Sequence, residues 1–358
     1  MHASHRFVRT VQSAVLLMAV ALAARLPLRA QQPVGLVPLD PPPPPVVVDG
    51  VEILPVQGQV YMLAGAGANV TAQVGPEGVL LVDSGSSGRS QGIINAVRRL
   101  TSRPVRFLVN TNADPDHVAG NGPLVEFFDG TRGPRPQQVG GANPLGQNAG
   151  VLSVAHEAAF NRMQQGSPDL PGLTGDALPV STFFTPKKEF FSNGEAIQVI
   201  AAPGAHTDGD ALVFFRRSDV VSTGDVFVTN TYPAIDVARG GSITGVLAGL
   251  NAIIDLAVPE RNQMGGTRIV PGHGRISNEA EVIDYRDMVT IVRDRVRDMA
   301  AKGMSLAQVK AARPSLEYDG TYGTTAGPGS TDAFLAAVYQ GVASRPAGAA
   351  GAAGRSGR

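Results

Sequence analysis

Asn110-Thr-Asn-Ala-Asp-Pro-Asp-His117 decides how the 358-residue chain is read. It closes the run Val105 to Asn110, which is β-branched and apolar enough for a buried strand. From Thr111 to Gly122 the residues are dense in Asn, Asp and Gly, as in a loop. Three further runs have the same form. Pro203-Gly-Ala-His-Thr-Asp-Gly-Asp210 follows Ile197 to Ala202, Ile269-Val-Pro-Gly-His-Gly274 completes Arg268 to Val270, and Val220-Val-Ser-Thr-Gly-Asp225 ends in a carboxylate. Beyond residue 30 there are four His, and His117, His206 and His273 all lie in these turns. Rigid scaffolds present functional side chains from such strand ends. Imidazole together with carboxylate suits zinc, iron or manganese, and an open coordination position activates water near neutral pH.

Composition removes several other chemistries. The chain has no Cys, so disulfides, iron–sulfur clusters, Cys-ligated zinc and thiol nucleophiles are excluded. Lys+Arg and Asp+Glu both total 30, so no basic surface for nucleic acid is indicated. Residues 1–30 have the layout of a signal peptide: Arg6 and Arg9, an apolar stretch from Ala14 to Ala24, then Pro27 and Ala30. Eleven residues are too few to span a bilayer, and cleavage is placed between 23 and 30. Removal takes away four Arg and no acid, leaving 26 basic against 30 acidic residues. A periplasmic or secreted protein without a membrane anchor is expected, with no nucleic-acid or protein partner. Residues 31–47, with Pro41 to Pro45, read as a stiff Pro-rich linker. Residues 346–358 read as a disordered Gly/Ala-rich tail. The folded domain is expected over 48–345.

Within it, Gln59 to Leu63, Ala68 to Val74 and Gly78 to Asp83 read as strands, followed by a helix at 90–101. Val220 to Ser222 and Ala211 to Arg216 belong to a second strand set, with a helix at 242–256. His156 to Gln164 reads as a helix. Val282, Tyr285, Val289, Val292, Val296 and Met299 recur every three or four residues, predicting a helix over 279–301. A last helix is expected at 331–343. Strand clusters separated by helices, twice over, predict two packed sheets with helices outside.

At this point the sequence resembles a known family. Val79-Leu-Leu-Val-Asp-Ser-Gly85, Asp116-His-Val-Ala-Gly-Asn121, Gly204-Ala-His-Thr-Asp-Gly-Asp210, Thr223-Gly-Asp225 and Val270-Pro-Gly-His-Gly274 look like the ordered motifs of the metallo-β-lactamase superfamily. Tyr232-Pro-Ala-Ile-Asp236 and Gly240-Gly-Ser-Ile-Thr-Gly245 resemble its exported metallohydrolase branch. The resemblance implies an α/β fold, the four-layer αβ/βα sandwich, with a metal site at one edge of the sheets. It assigns Asp116, His117 and His273 to one ion, with Asp225 bridging. The first motif departs from the family's His-x-His-x-Asp-His, so the other set becomes Asn112, Asp114 and His206. Two divalent ions, one, or none are the alternatives, with zinc first and iron or manganese favoured by an oxygen-richer site.

The function implied is hydrolysis of an ester, lactone, lactam or thioester of a small molecule. Metal-bound hydroxide, oriented by the catalytic Asp116, would attack the carbonyl. Two alternatives stand beside it: a non-haem di-iron oxidoreductase on the same fold, favoured by Asp114, and a metal- or ligand-binding protein without turnover. Asp83 is read as orienting the metal loops rather than as a ligand. His156 and Tyr232 are candidates for substrate contact. Gly65-Ala-Gly67 reads as a hairpin turn rather than a phosphate loop, because a strand and not a helix follows.

Overall fold

A computed structural model describes residues 46–130, 150–262 and 265–343. The expected signal peptide, the tail and most of the linker lie outside these residues. Eight strands form the first sheet in chain order: β1 (Val46–Val48), β2 (Val51–Gln57), β3 (Val60–Ala64), β4 (Val70–Gly75), β5 (Gly78–Val82), β6 (Val105–Val109), β7 (Leu152–His156) and β8 (Ser181–Phe183). The first five run as an antiparallel meander, and β5 to β8 are parallel neighbours. The second sheet holds β9 (Lys187–Ser192), β10 (Glu195–Ala201), β11 (Ala211–Phe215), β12 (Val220–Ser222), β13 (Arg268–Val270) and β14 (Ser277–Asn278), in the order β14-β13-β12-β11-β10-β9. Only β12 and β13 are parallel here.

The helices are α1 (Ser90–Leu100), α2 (Pro115–Val118), α3 (Asn121–Gly130), α4 (Glu157–Gln165), α5 (Ile243–Leu256), α6 (Glu279–Ala301), α7 (Leu306–Ala312), α8 (Asp319–Tyr322) and α9 (Thr331–Ala343). Strand β5 shows why the layers form. All five of its residues are buried, because the period of two sends Val79 and Leu81 against Ile93 and Val97 of α1 and sends Leu80 and Val82 against Val199 and Val213 of the second sheet. The outer face of that second sheet is covered by α5, α6 and α9. The Val and Tyr stripe of α6 lies there, and each valine buried from it is worth about 1.5–3 kcal/mol. Asn278 starts the helix by accepting from the N–H of Glu281 at 3.1 Å.

The result is four layers, helix–sheet–sheet–helix. The loops leaving β5, β6, β12 and β13 issue from the C-terminal ends of parallel strands, and the β10–β11 connection supplies His206. Two sequence expectations are corrected. Val46 and Val47, placed in the linker, pair with Ile53 and Glu52 and so belong to the sheet. His156, expected at the start of a helix, ends β7 and caps α4. Gly65 and Gly67 do lie in the β3–β4 hairpin connection. Among the described residues no helix is long and apolar enough to cross a membrane.

Candidate metal centre

Asp225 is the hub. It sits in the tight turn after β12, where Gly224 takes a φ of +50°. Its Oδ2 lies 3.0 Å from His117 Nε2 and 4.0 Å from His206 Nε2, and its Oδ1 lies 3.5 Å from His273 Nε2. His273 Nε2 is also 3.2 Å from Asp116 Oδ2. Asp116, His117 and His273 therefore form one group of converging donors, and Asp114, His206 and Asp225 form another, each within 4.8 Å. The backbone packs tightly here. A Cβ on Gly272, one residue before His273, would collide with Asp225 Oδ1 and the carbonyl of Gly224.

His117 is fully buried, and its orientation is fixed from behind. Its Nδ1 is 2.8 Å from Asp83 Oδ2, which makes Nδ1 the protonated nitrogen and leaves Nε2 aimed at the cluster. Asp83 in turn accepts from the N–H of Thr111 at 2.8 Å and from its hydroxyl at 2.7 Å. His117 Nε2 and Asp225 Oδ1 are buried and have no hydrogen-bond partner. Orphans of this kind are rare, and two in one cluster of Asp and His fit a cation held there. The donor set of Asp116, His117, His273 and Asp225 therefore suits a divalent metal.

The other group is built differently. His206 donates from Nδ1 to the Ala234 carbonyl at 2.8 Å, and its Nε2 lies 3.0 Å from Asp114 Oδ2. Asp114 Oδ1 accepts from Arg239 Nη1 at 2.5 Å. Asn112 accepts at Oδ1 from the N–H of Asp114 at 2.9 Å and donates from Nδ2 to Asp225 Oδ2 at 3.1 Å. A flipped amide would set acceptor against acceptor and donor against donor, so the orientation is determined.

The electrostatics follow these contacts. Burial raises the Asp225 carboxyl, but the charges of His117, His206 and His273 hold it far below the usual carboxylate range. For Asp114, burial is likewise outweighed, by His206 and Arg239. Burial lowers the basicity of His117, and Asp225 and Asp83 more than reverse it. His206 is lifted to about 10, the Asp114 hydrogen bond and the charges of Asp225 and Asp210 overcoming burial. His273 rises the same way against burial, through Asp116 and Asp225. The same contacts raise all three histidines and lower Asp114, Asp116 and Asp225, so a metal entering the cluster competes with protons for these atoms.

On the far side of Arg239 lies a cavity of about 400 Å³ lined by Ala113, Arg162, Asp208 and Arg239 among others, and by none of the six converging Asp and His side chains. Arg162 Nη2 donates to Asp208 Oδ2 at 2.6 Å and to the carbonyl of Arg239 at 2.9 Å. Neither substrate-contact candidate lines it. His156 accepts from the N–H of Ala158 and packs edge-on to Phe183, which makes it a helix cap. Tyr232 is fully buried, stacked on Phe334, with its hydroxyl donating to Asp319 Oδ1 at 2.8 Å and set 3.2 Å from the Ser315 carbonyl. Its place is the helical core, because its ring and hydroxyl are both satisfied there. Arg239, Asp236 and Thr111 were not singled out from the sequence. Thr111 and Asp236 lie inside quoted motifs without a role having been given to them, and Arg239 bears on the site only through the folded chain.

A family model described as the metallo-beta-lactamase superfamily matches residues 63–273. The chain belongs to the metallo-β-lactamase superfamily. Its members are typically metal-dependent hydrolases that bind divalent metals, often zinc. Among solved structures, the stereoselective inverting sec-alkylsulfatase Pisa1 from Pseudomonas sp. is 16% identical with a TM-score of 0.55, over 80% of this chain and 49% of that one. The present chain thus spans about half the length of that sulfatase. A metallo-beta-lactamase from Pontibacter korlensis is 15% identical with a TM-score of 0.48, over 67% of this chain and 99% of that one. No curated protein sequence matches the chain.

Proposed function

We propose that the protein is an exported metal-dependent hydrolase acting on an ester, lactone, lactam or thioester of a small molecule. The observation that carries this reading is the pair of buried atoms without partners, His117 Nε2 and Asp225 Oδ1, inside a convergent set of Asp and His. Asp116, His117, His273 and Asp225 would hold the metal, which when bound supplies Lewis-acid polarisation of the scissile group and a nucleophilic water near neutral pH. Asp83 keeps the His117 ring in the tautomer that leaves Nε2 free as a ligand. Asp116, with 37% of its side chain exposed, is the most accessible carboxylate of the set and borders solvent. With Oδ2 facing His273, its Oδ1 is left to accept a hydrogen from the attacking water and hold it in line with the carbonyl. The cavity lined by Arg239, which none of these groups lines, is the room we assign to part of a small substrate. The oxidoreductase alternative relied on Asp114 as an extra oxygen ligand, and that support is lost where Arg239 takes Oδ1.

The test is turnover on a panel of chromogenic esters, lactones, lactams and thioesters, with an alkyl sulfate added because an alkylsulfatase shares the fold. Chelation should abolish hydrolysis and zinc, iron or manganese should restore it, while H273A should show no measurable rate. Metal binding without turnover on any member would instead identify a binding protein.

A further inference from the structure

We infer that the centre takes one metal ion and that the Arg239 guanidinium stands where a second would bind. The inference rests on the metal-dependent reading above and specifies its stoichiometry. Two sets of donors are close enough to hold ions, and the buried atoms left without partners are His117 Nε2 and Asp225 Oδ1, none on Asp114, His206 or Asn112. In the Asp114 set both carboxylate oxygens are engaged, Oδ1 with Arg239 Nη1 at 2.5 Å and Oδ2 with His206 Nε2 at 3.0 Å. Asn112, standing where the family places its first His, turns its amide NH₂ rather than its oxygen toward Asp225. An NH₂ donor cannot ligate a cation.

Arg239 is no loose surface side chain. Its Nε donates to Asp236 Oδ2 at 2.6 Å, and Asp236 Oδ1 accepts from the Arg239 N–H at 2.9 Å. Its carbonyl accepts from Arg162 Nη2 at 2.9 Å and from the N–H of Asp208 at 2.9 Å. Backbone and guanidinium are therefore both pinned, with Nη1 set on Asp114. A guanidinium cannot yield to a metal by losing a proton, as an imidazolium can. A divalent ion on Asp114 would have to displace it or sit against its charge. Nη2 has no hydrogen-bond partner among the described residues, and the side chain lines the neighbouring cavity.

The experiment is a titration of the metal-free full-length chain with cobalt(II), read by its visible ligand-field absorption, together with elemental analysis after zinc loading and gel filtration. The wild type should show a break at one equivalent and retain one zinc per chain. Asp114→Asn should also keep one. Arg239→Met, of similar reach but without charge, frees Asp114 Oδ1 and should admit a second equivalent, while Arg239→Lys should stay at one. Two equivalents in the wild type, or loss of the single equivalent in Asp114→Asn, would overturn the inference and leave the hydrolase reading standing. A folded Arg239→Met that still stops at one equivalent would overturn the part assigned to Arg239. If that variant fails to fold by circular dichroism, the wild-type and Asp114→Asn stoichiometries still decide. No metal under any condition would overturn both this inference and the reading beneath it.

Discussion

Asp83 holds a left-handed backbone, φ +64°, which most side chains avoid and Asp and Asn tolerate. The turn lets its N–H donate to the Val109 carbonyl at 2.7 Å while its carboxylate reaches Thr111 and His117. Asp83→Asn keeps the backbone allowed and the acceptor for the Thr111 N–H, but sets an NH₂ against a nitrogen that must donate. Metal affinity should fall about 10–100-fold, measured by competition with a chromogenic chelator. Unchanged affinity would show that the carboxylate does not set the ring. Tyr232 makes the opposite case, a residue whose chemistry is spent on the fold. Tyr232→Phe leaves Asp319 Oδ1 and the Ser315 carbonyl without that donor, and it should cost about 1–3 kcal/mol in urea unfolding. KM should not move; a raised KM with unchanged stability would return Tyr232 to the substrate site.

At the scale of elements, the site depends on how closely the turns after β12 and β13 approach. The N–H of Gly272 donates to the Gly224 carbonyl at 2.8 Å, leaving no room for a Cβ beside Asp225. Gly272→Ala should destabilise by about 1–3 kcal/mol and weaken metal binding, because relief of the clash shifts Asp225 and His273 apart. Chemical denaturation and metal titration check the two effects, and a loss of stability with full affinity would mean the turn relaxes away from the ligands. The same comparison shows what was legible in the sequence. Helix α6 could be read in full because its apolar stripe repeats at the helical period, and β12 and β13 because they are short apolar runs bounded by turns. Strand β9, Lys187–Ser192, was missed because it is an edge strand with charged, exposed positions. The ligand candidates were visible because each closes a strand. Arg239 was not, since its pairing with Asp114 joins residues far apart in the chain.

Across the whole molecule, protons and metal compete for the same atoms, which fixes the sign of the pH dependence. In the metal-free protein His206 titrates at about 10 against an ordinary 6.5, so its contribution to stability is complete below about 6.5 and is lost as pH rises through 10. Asp114 and Asp225 lie below their ordinary 3.8, so their contribution is complete above that value and is lost as pH falls through their depressed range. The metal-free fold should therefore be most stable between roughly pH 4 and 6.5. Metal binding runs the other way, because the ligand imidazoles must shed protons and so bind more tightly as pH rises. At 100 times its Kd a metal adds about 2.7 kcal/mol, so loading should raise Tm, and the gap between loaded and metal-free protein should widen from pH 6 to pH 8. Thermal unfolding with and without zinc at several pH values measures it. A gap that stays constant over that range would show that the ligand histidines are already neutral in the metal-free protein, with the carboxylates of the cluster left to repel one another.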